Sequence, residues 1–345
     1  MKKILVTGGL GYIGCHVVVE LQNTGFEVLI LDDLSNSSLD VLTGITDITG
    51  VKPIFEKVDL KSKQAVADFF KKHTNIEGVI HFAASKAVEE SVNNPLKYYE
   101  NNLTSLIYLL QELSKLAIQK LIFSSSCTVY GQADNLPISE LAPTKEPESP
   151  YGSTKKIGEQ IIEDSCSANT SLRTIALRYF NPIGAHKSAK IGELPIGTPQ
   201  NLIPLVTQTG IGIREKLLIY GKDYPTRDGT CIRDYIHISD LANSHEVALK
   251  HLFNLKECSF YESYNVGTGK GTTVLEVVKS FEKVNNLKLN FHIGDRRPGD
   301  IIEAYADCSK INKDLGWKSK FKIDEALESA WKWENNLKIS KIDHC

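Results

Sequence analysis

The chain has 345 residues, 41% of them hydrophobic and 24% charged, with a formal net charge of −2. That balance is ordinary for a globular protein and excludes a basic nucleic-acid surface or a charged disordered tail. No run of eighteen apolar residues occurs, and Gly8, Gly9 and Gly11 interrupt the N-terminal apolar stretch too early for a signal peptide, so no membrane partner and a cytoplasmic location are expected.

The length predicts two domains, or one large one with an elaborated second lobe. Seven cysteines, none in a C-x-x-C pair, read as free thiols in a reducing compartment. No metal cluster is visible. Taken in chain order, 4–7 (ILVT) reads as a buried strand, 12–24 as a helix, 28–31 (VLIL) as a second strand, and VDL around Asp59 as the end of a third. Residues 62–73 suit a helix, 78–83 (GVIHFA) a strand, 95–116 a long helix and 120–126 (KLIFSSS) another strand. A helix opens near Pro150, and 174–181 (TIALRYFN) closes the series. Strands alternating with helices predict an α/β fold, a doubly wound parallel sheet of the Rossmann type. After Asn181 proline and glycine become frequent. The division expected is therefore 1–181 for a dinucleotide-binding domain and 182–345 for a smaller mixed α/β substrate domain, with the chain crossing back around 231–260.

Gly8, Gly11 and Gly14 lie between the first strand and the first helix. Glycines there let backbone amides approach a pyrophosphate at the positive end of the helix. Asp32 and Asp33 end the second strand, where an acid accepts hydrogen bonds from a ribose and repels a 2′-phosphate, which favours NAD over NADP. Asp59, with Leu60 beside it, is placed to reach the adenine, and Phe82, Ala83 and Ala84 leave room for a flat ring.

Tyr151 and Lys155 stand four apart just after a proline, hence one turn apart on one helix face. An ammonium beside a phenol is expected to lower the phenol pKa and make a base of it. With Ser126 at the end of its strand, the three can converge beside a nicotinamide. Ser126 would hold a substrate hydroxyl and Tyr151 would take its proton during alcohol oxidation. Further along, Arg233 in CIRDYIH and Arg297 in DRRPGD are the cations suited to a diphosphate.

The segments TGGLGYIG, LDDLSN, HFAASKAVEESV, FSSSCTVYG, SPYGSTK, LRYFNPIGAH and RDYIHISDLA together resemble the extended short-chain dehydrogenases, and within them the UDP-galactose 4-epimerases, also called UDP-glucose 4-epimerases. The likeness runs almost end to end. It implies an enzyme that keeps its NAD and inverts C4 of a UDP-hexose through a transient 4-keto sugar, with Tyr151 and Lys155 as the catalytic pair and Ser126 beside them. It implies cofactor contacts at Tyr12, Ile13, Asn36, Ser37, Lys86, Asn101, Tyr179 and Phe180. For the UDP-sugar it implies Lys86, Asn181, Asn201, Leu218, Tyr220, Arg233, Arg297 and Asp300. Ala304 matches a position beside the sugar 2-hydroxyl that is a large Tyr in some members, so a methyl there implies room for N-acetylated sugars unless the neighbouring Tyr305 turns inward. The family's habit also implies a homodimer, with 95–116 and the helix after Tyr151 across a two-fold. Cys127 and Thr128 stand where nucleotide-sugar dehydratases carry an Asp-Glu pair, which argues against a 4,6-dehydratase. A UDP-glucuronate 4-epimerase is the nearer alternative, and a non-catalytic NAD-binding regulator the alternative from another class.

Overall fold

In the computed structural model, which describes residues 1–168, 171–297 and 300–342, the first half alternates strand and helix. β1 (Lys3–Thr7) leads through α1 (Tyr12–Asn23) to β2 (Glu27–Asp32), then α2 (Asp40–Thr49) and β3 (Ile54–Lys57). α3 (Lys63–Lys72), β4 (Ile76–His81), α4 (Val88–Asn93), α5 (Pro95–Lys115) and β5 (Lys120–Ser126) follow. A 3-10 turn (Cys127–Tyr130), α6 (Pro150–Ala168) and β6 (Arg173–Tyr179) complete the run.

The apolar runs become strands because both faces are covered. Ile4, Leu5 and Val6 are 0% exposed, one face packing on α1 and the other on α3 and α5. Two boundaries differ from the sequence reading. β3 ends at Lys57, before Asp59, whose carboxylate accepts the Lys61 N–H in the following turn. β3 is a half-exposed edge strand and carries no continuous apolar run to mark it. β4 ends at His81, so Phe82 and Ala83 lie beyond the strand. The short helix α4 was hidden in a polar stretch, VEESVN.

The second half opens with β7 (Asn181–Ile183), α7 (Leu202–Gly210), β8 (Leu217–Tyr220), β9 (Ile232–Arg233) and β10 (Tyr235–His237). α8 (Ile238–Asn254), β11 (Phe260–Val266), β12 (Thr272–Thr273), α9 (Val274–Val284), β13 (Phe291–Gly294), β14 (Glu303–Ala304), α10 (Ser309–Leu315) and α11 (Ile323–Ile342) follow. β11 pairs with β6 and α8 packs on α1, so both extend the first layer system. The main sheet has seven parallel strands in the order β11-β6-β5-β4-β1-β2-β3. This is the doubly wound pattern, with its reversal at β1. The remaining strands form small sheets, β7 with β10, β8 with β13, and β9 between β12 and β14. The first two pack on α7, α9 and α11 around Ile203, Val277, Phe281 and Leu327, whereas Ala304 of β14 joins a separate cluster with Val129 and Phe180. The chain leaves the main sheet beyond β6, where Phe180 N donates to Val266 O and Asn181 N to Asp234 O. That step brings the small sheets over the carboxyl ends of the main strands, where such folds bind ligands.

Candidate active site

Between β1 and α1 the chain turns through Gly8, whose φ of +66° is open to glycine at little cost. A Cβ on Gly8 would lie 2.8 Å from Ala83 N, and one on Gly14 would lie 2.3 Å from Gly8 O. Gly11 is the N-cap of α1 and offers no side-chain cap, so the amides of the first turn face outward without a side-chain partner. The turn is a backbone cradle at a positive helix end, which fits a pyrophosphate. Asp32 organises the rim: its carboxylate accepts Leu10 N (3.1 Å), Leu34 N (3.0 Å) and the Ser37 hydroxyl (2.7 Å). Asp33 turns instead to Ser35, accepting its N–H and its hydroxyl. Asn36 and Asp59 are exposed, whereas Leu60 is buried. Phe82, Ala83 and Ala84 are half-buried at the mouth of β4.

Tyr12 and Lys86 reach toward the second half of the chain. The Tyr12 hydroxyl donates to Gly184 O at 2.6 Å, and Ile13 packs on the core beneath. Lys86 Nζ stands 3.6 Å from Glu193 Oε1 and 5.9 Å from the Tyr12 ring centroid. Asn101 donates to the Ser85 hydroxyl at 3.2 Å. Tyr179 is buried against His245 by a hydroxyl–imidazole hydrogen bond, and Phe180 is buried behind it.

α6 starts as the sequence dictates. Ser149 Oγ accepts Gly152 N, and Pro150, with no N–H to satisfy, takes the first position. Gly158 lets the helix settle on Phe123 of β5; a Cβ there would lie 2.9 Å from the ring. Lys155 is thereby buried, its Nζ donating to Ser124 O at 2.7 Å and lying 5.8 Å from the Tyr151 ring centroid. Ser126 is close enough to the Tyr151 hydroxyl to favour its ionised form. Ser126 Oγ also accepts Thr128 N at 3.2 Å, which leaves its own proton for an oxygen in the cleft. So Ser126, Tyr151 and Lys155 converge at the carboxyl end of β5.

One expectation about them is overturned. Burial pushes the Tyr151 phenol up to about 12, outweighing Ser126, which lowers it. Lys155 does not bring the phenol down, because its ammonium is turned to the Ser124 carbonyl. Burial also pulls Lys155 down to about 8, with Glu159 acting in the opposite direction.

Across the cleft, Asn181 opens β7, and Asn201, the N-cap of α7, donates to Glu193 Oε1 at 2.6 Å. Arg233 donates to Ile232 O and makes no ion pair among the described residues, so its charge is open to an anion. Arg297 is paired with Asp300 at 2.7 Å, and its guanidinium lies 5.5 Å from the ring of Tyr220, which is 41% exposed. Leu218, on β8, packs under Gly294. Ala304 lies beside Arg233 in the β14–β9 pairing, 5% exposed, in a cluster with Val129, Phe180 and Cys127. Tyr305 points the other way: a Cβ on Gly271 would meet its ring at 3.0 Å.

Several residues of this site gave no sign in the sequence reading. Asn102 is buried and joins Ser85 to Thr154 of α6. Its position on the apolar stripe of α5, with Tyr98, Leu106 and Leu109, was a usable signal. Glu193 bridges Lys86 and Asn201 from a loop no periodicity describes. Asp234 is fully buried and accepts from Thr268, Gly269 and Ala306, fixing the strand that carries Ala304. Among the described residues no group of three or more His, Cys, Asp or Glu is placed to hold a metal ion, and no helix is long and apolar enough to cross a membrane.

A family model described as GDP-mannose 4,6 dehydratase matches residues 5–330. UDP-glucose 4-epimerase of Bacillus subtilis (strain 168) is 47% identical over 333 residues, covering 96% of this chain and 97% of that one. The chain belongs to the UDP-glucose 4-epimerases, a group of the extended short-chain dehydrogenases/reductases. A crystal structure of UDP-glucose-4-epimerase from Stenotrophomonas maltophila with bound NAD and formylated UDP-arabinopyranose superposes with a TM-score of 0.94 at 42% identity, over 99% of this chain and 100% of that one. The UDP-Glc/GlcNAc 4-epimerase from Campylobacter jejuni superposes with a TM-score of 0.83 at 34% identity, over 97% and 100%. The dehydratase in the family model's description finds no acid pair in this epimerase-family site: Cys127 and Thr128 follow Ser126, and burial pushes the Cys127 thiol up to about 12.

Proposed function

We propose that the protein is an NAD-dependent 4-epimerase that interconverts UDP-glucose and UDP-galactose, and that it also accepts UDP-GlcNAc and UDP-GalNAc. The observation that carries the reading is the meeting of Ser126, Tyr151 and Lys155 at the carboxyl end of β5, in the sheet that bears the glycine turn, in a chain alike over 96% of its length to a UDP-glucose 4-epimerase. When bound, NAD supplies a hydride acceptor and donor for C4 of the sugar. The Gly8–Gly14 turn would hold its pyrophosphate, Asp32 the adenosine ribose and Lys155 the nicotinamide ribose.

Tyr151 takes the proton of the sugar 4-hydroxyl and gives it back to the inverted carbon's oxygen. The buried phenol needs nearby positive charge to ionise, and that role falls to the cationic nicotinamide, whose ribose Lys155 would hold. Ser126 donates to the sugar oxygen and holds it in reach of the phenol. Arg233 and Arg297 take the diphosphate, Tyr220 stacks the uracil, and Asn181 and Asn201 orient the remainder. Turning the 4-keto sugar over requires that UDP stay anchored while the hexose rotates, which two arginines on separate segments permit.

Room for the acetamido group comes from Ala304, with Tyr305 on the opposite side of its strand. Apolar side chains left open on α5 and α6, Leu96 (80% exposed), Ile107 (37%) and Ile157 (38%), support a homodimer through those helices. The test is epimerisation without added NAD, on UDP-galactose and UDP-GalNAc in parallel. Turnover of both is expected. Turnover of UDP-galactose alone removes the Ala304 argument, and turnover of neither, even with NAD added, removes the function.

A further inference from the structure

α8 carries a buried histidine that the reaction above does not use. His245 is 0% exposed, and it meets two of the residues expected at the cofactor. Its Nε2 shares a hydrogen bond with the Tyr179 hydroxyl, the two ring centroids standing 5.3 Å apart. Phe82, just beyond β4, lies on another side of the ring at 5.0 Å between centroids. The second nitrogen, Nδ1, is 2.8 Å from Leu241 O, one turn back along α8.

These partners fix the direction of the protons. Leu241 O is a carbonyl and only accepts, so Nδ1 carries the proton of the ring. Nε2 of a neutral ring is then an acceptor, and the Tyr179 hydroxyl must donate to it. A charged ring would present two donors and leave the phenol proton without a partner; burial keeps the ring neutral by pulling it down to about 4. Burial also pushes the Tyr179 phenol far above its ordinary value, with Ser124 acting in the opposite direction and Tyr151 adding to the rise, so the phenol keeps its proton. That one proton goes to His245. Toward every other neighbour the Tyr179 oxygen can only accept. β6 pairs with β5 so that Tyr179 stands opposite Ser126, which places this acceptor beside the groups assigned to the reaction.

We propose that His245 is a positioning residue for cofactor choice: by taking the Tyr179 proton it fixes that phenol as an acceptor, which favours a dinucleotide whose pyridine ring carries an N–H donor, the carboxamide of NAD, over one carrying a carboxylate. The proposal rests on the NAD reading above, with Tyr179 at the cofactor. A carboxylate has only acceptors, and two acceptors left facing each other in a buried site lose a hydrogen bond that the carboxamide makes. It accounts for a buried, neutral histidine whose polar atoms are both engaged and whose other contact, Phe82, also lines the expected cofactor site.

The probes are NAD and nicotinic acid adenine dinucleotide, which differ only in that amide and carboxylate. Each protein, stripped of nucleotide, is reloaded from an equimolar mixture, and the ratio retained through gel filtration is measured. Wild type is expected to favour NAD by about tenfold, the scale of one hydrogen bond. H245Q, whose amide oxygen can take the phenol proton, is expected to keep the preference. H245F leaves the hydroxyl free to donate to the carboxylate and is expected to lose it, as is Y179F. The double variant H245F/Y179F is expected to fall no further than Y179F, because His245 acts only through that hydroxyl. A wild-type ratio in H245F, or losses that add in the double variant, would show the ring to be core packing and overturn the proposal. Where H245F does not fold, 15N NMR of wild-type protein decides: Nδ1 protonated with Nε2 bare is expected, and a proton on Nε2 overturns the proposal. Equal retention of the two dinucleotides by wild type sinks the proposal alone, whereas retention of neither sinks the cofactor reading and the proposal with it.

Discussion

Gly14→Ala is the sharpest test of the cofactor cradle, because two known effects oppose each other there. Gly14 lies inside α1, where alanine is favoured over glycine by about 0.5–1 kcal/mol. Propensity alone therefore predicts a more stable protein. The new Cβ, however, would lie 2.3 Å from Gly8 O and 2.8 Å from Gly9 Cα. Both are backbone atoms, so no rotamer relieves the clash. The β1–α1 turn must move outward, at a cost of about 1–3 kcal/mol for overpacking. The displaced atoms are those proposed to approach the pyrophosphate, so the larger loss falls on cofactor binding, about tenfold for each 1.4 kcal/mol. Gly11→Ala is the control. Gly11 has an ordinary φ of −70°, and its Cβ would meet one atom, Gly8 O, at 3.3 Å. The assay is the amount of nicotinamide cofactor that stays with the protein through gel filtration, beside the thermal midpoint. G14A is expected to lose cofactor at least tenfold and to melt lower, and G11A to keep most of both. A G14A protein that melts higher and retains its NAD would refute the cradle.

Tyr151→Phe is expected to lower kcat by about 10²–10⁴ while NAD remains bound, read by turnover and by cofactor content. Ala304→Tyr fills the space beside Arg233; UDP-GalNAc turnover is expected to fall by about 10–200-fold relative to UDP-galactose, and equal losses on both sugars would count against the steric gate. Arg233→Ala removes a cation without a counter-charge and is expected to raise KM for UDP-galactose more than it lowers kcat, as steady-state kinetics would show. His16 and His81 are pulled down to about 3, and His237 and His245 to about 4, by burial. Their folded pKa values lie below the unfolded value near 6.5, so the unfolded chain binds protons that the folded chain refuses. Stability is complete above that value and falls as pH drops toward 4, by up to about 1.4 kcal/mol per pH unit for each histidine. Urea midpoints measured between pH 7 and pH 4.5 check the slope; a flat profile would show these rings charged in the folded state.

Periodicity carried the first layer of the molecule because its strands are buried on both faces and its helices on one. Apolar runs such as ILVT and VLIL then have a single reading. β3 escaped because an edge strand keeps one side in water and needs no such run. The six-residue helix α4 and the small sheets after Asn181, with strands of two to four residues, escaped for a related reason: elements this short are held by tertiary contacts, and their sequences need not show a period. The glycine cradle was legible because it depends on what side chains are absent, and absence is plain in a sequence.

The catalytic face shows where spacing stops being informative. The four-residue interval between Tyr151 and Lys155 fixed their relative azimuth on α6, and that much required no fold. It did not fix what lies opposite. The spacing makes Lys155 the partner of a phenol; in the fold its Nζ meets a carbonyl of β5. Glu159 has the same spacing from Lys155 as Lys155 has from Tyr151, yet Arg178, nineteen residues later on β6, grips that carboxylate with two bonds. A helix period shows which residues share a face, and only the crossover connection decides which strand that face meets. The part proposed here for Lys155 therefore depends on the seating of α6 on β5 as much as on the motif that first drew attention to it.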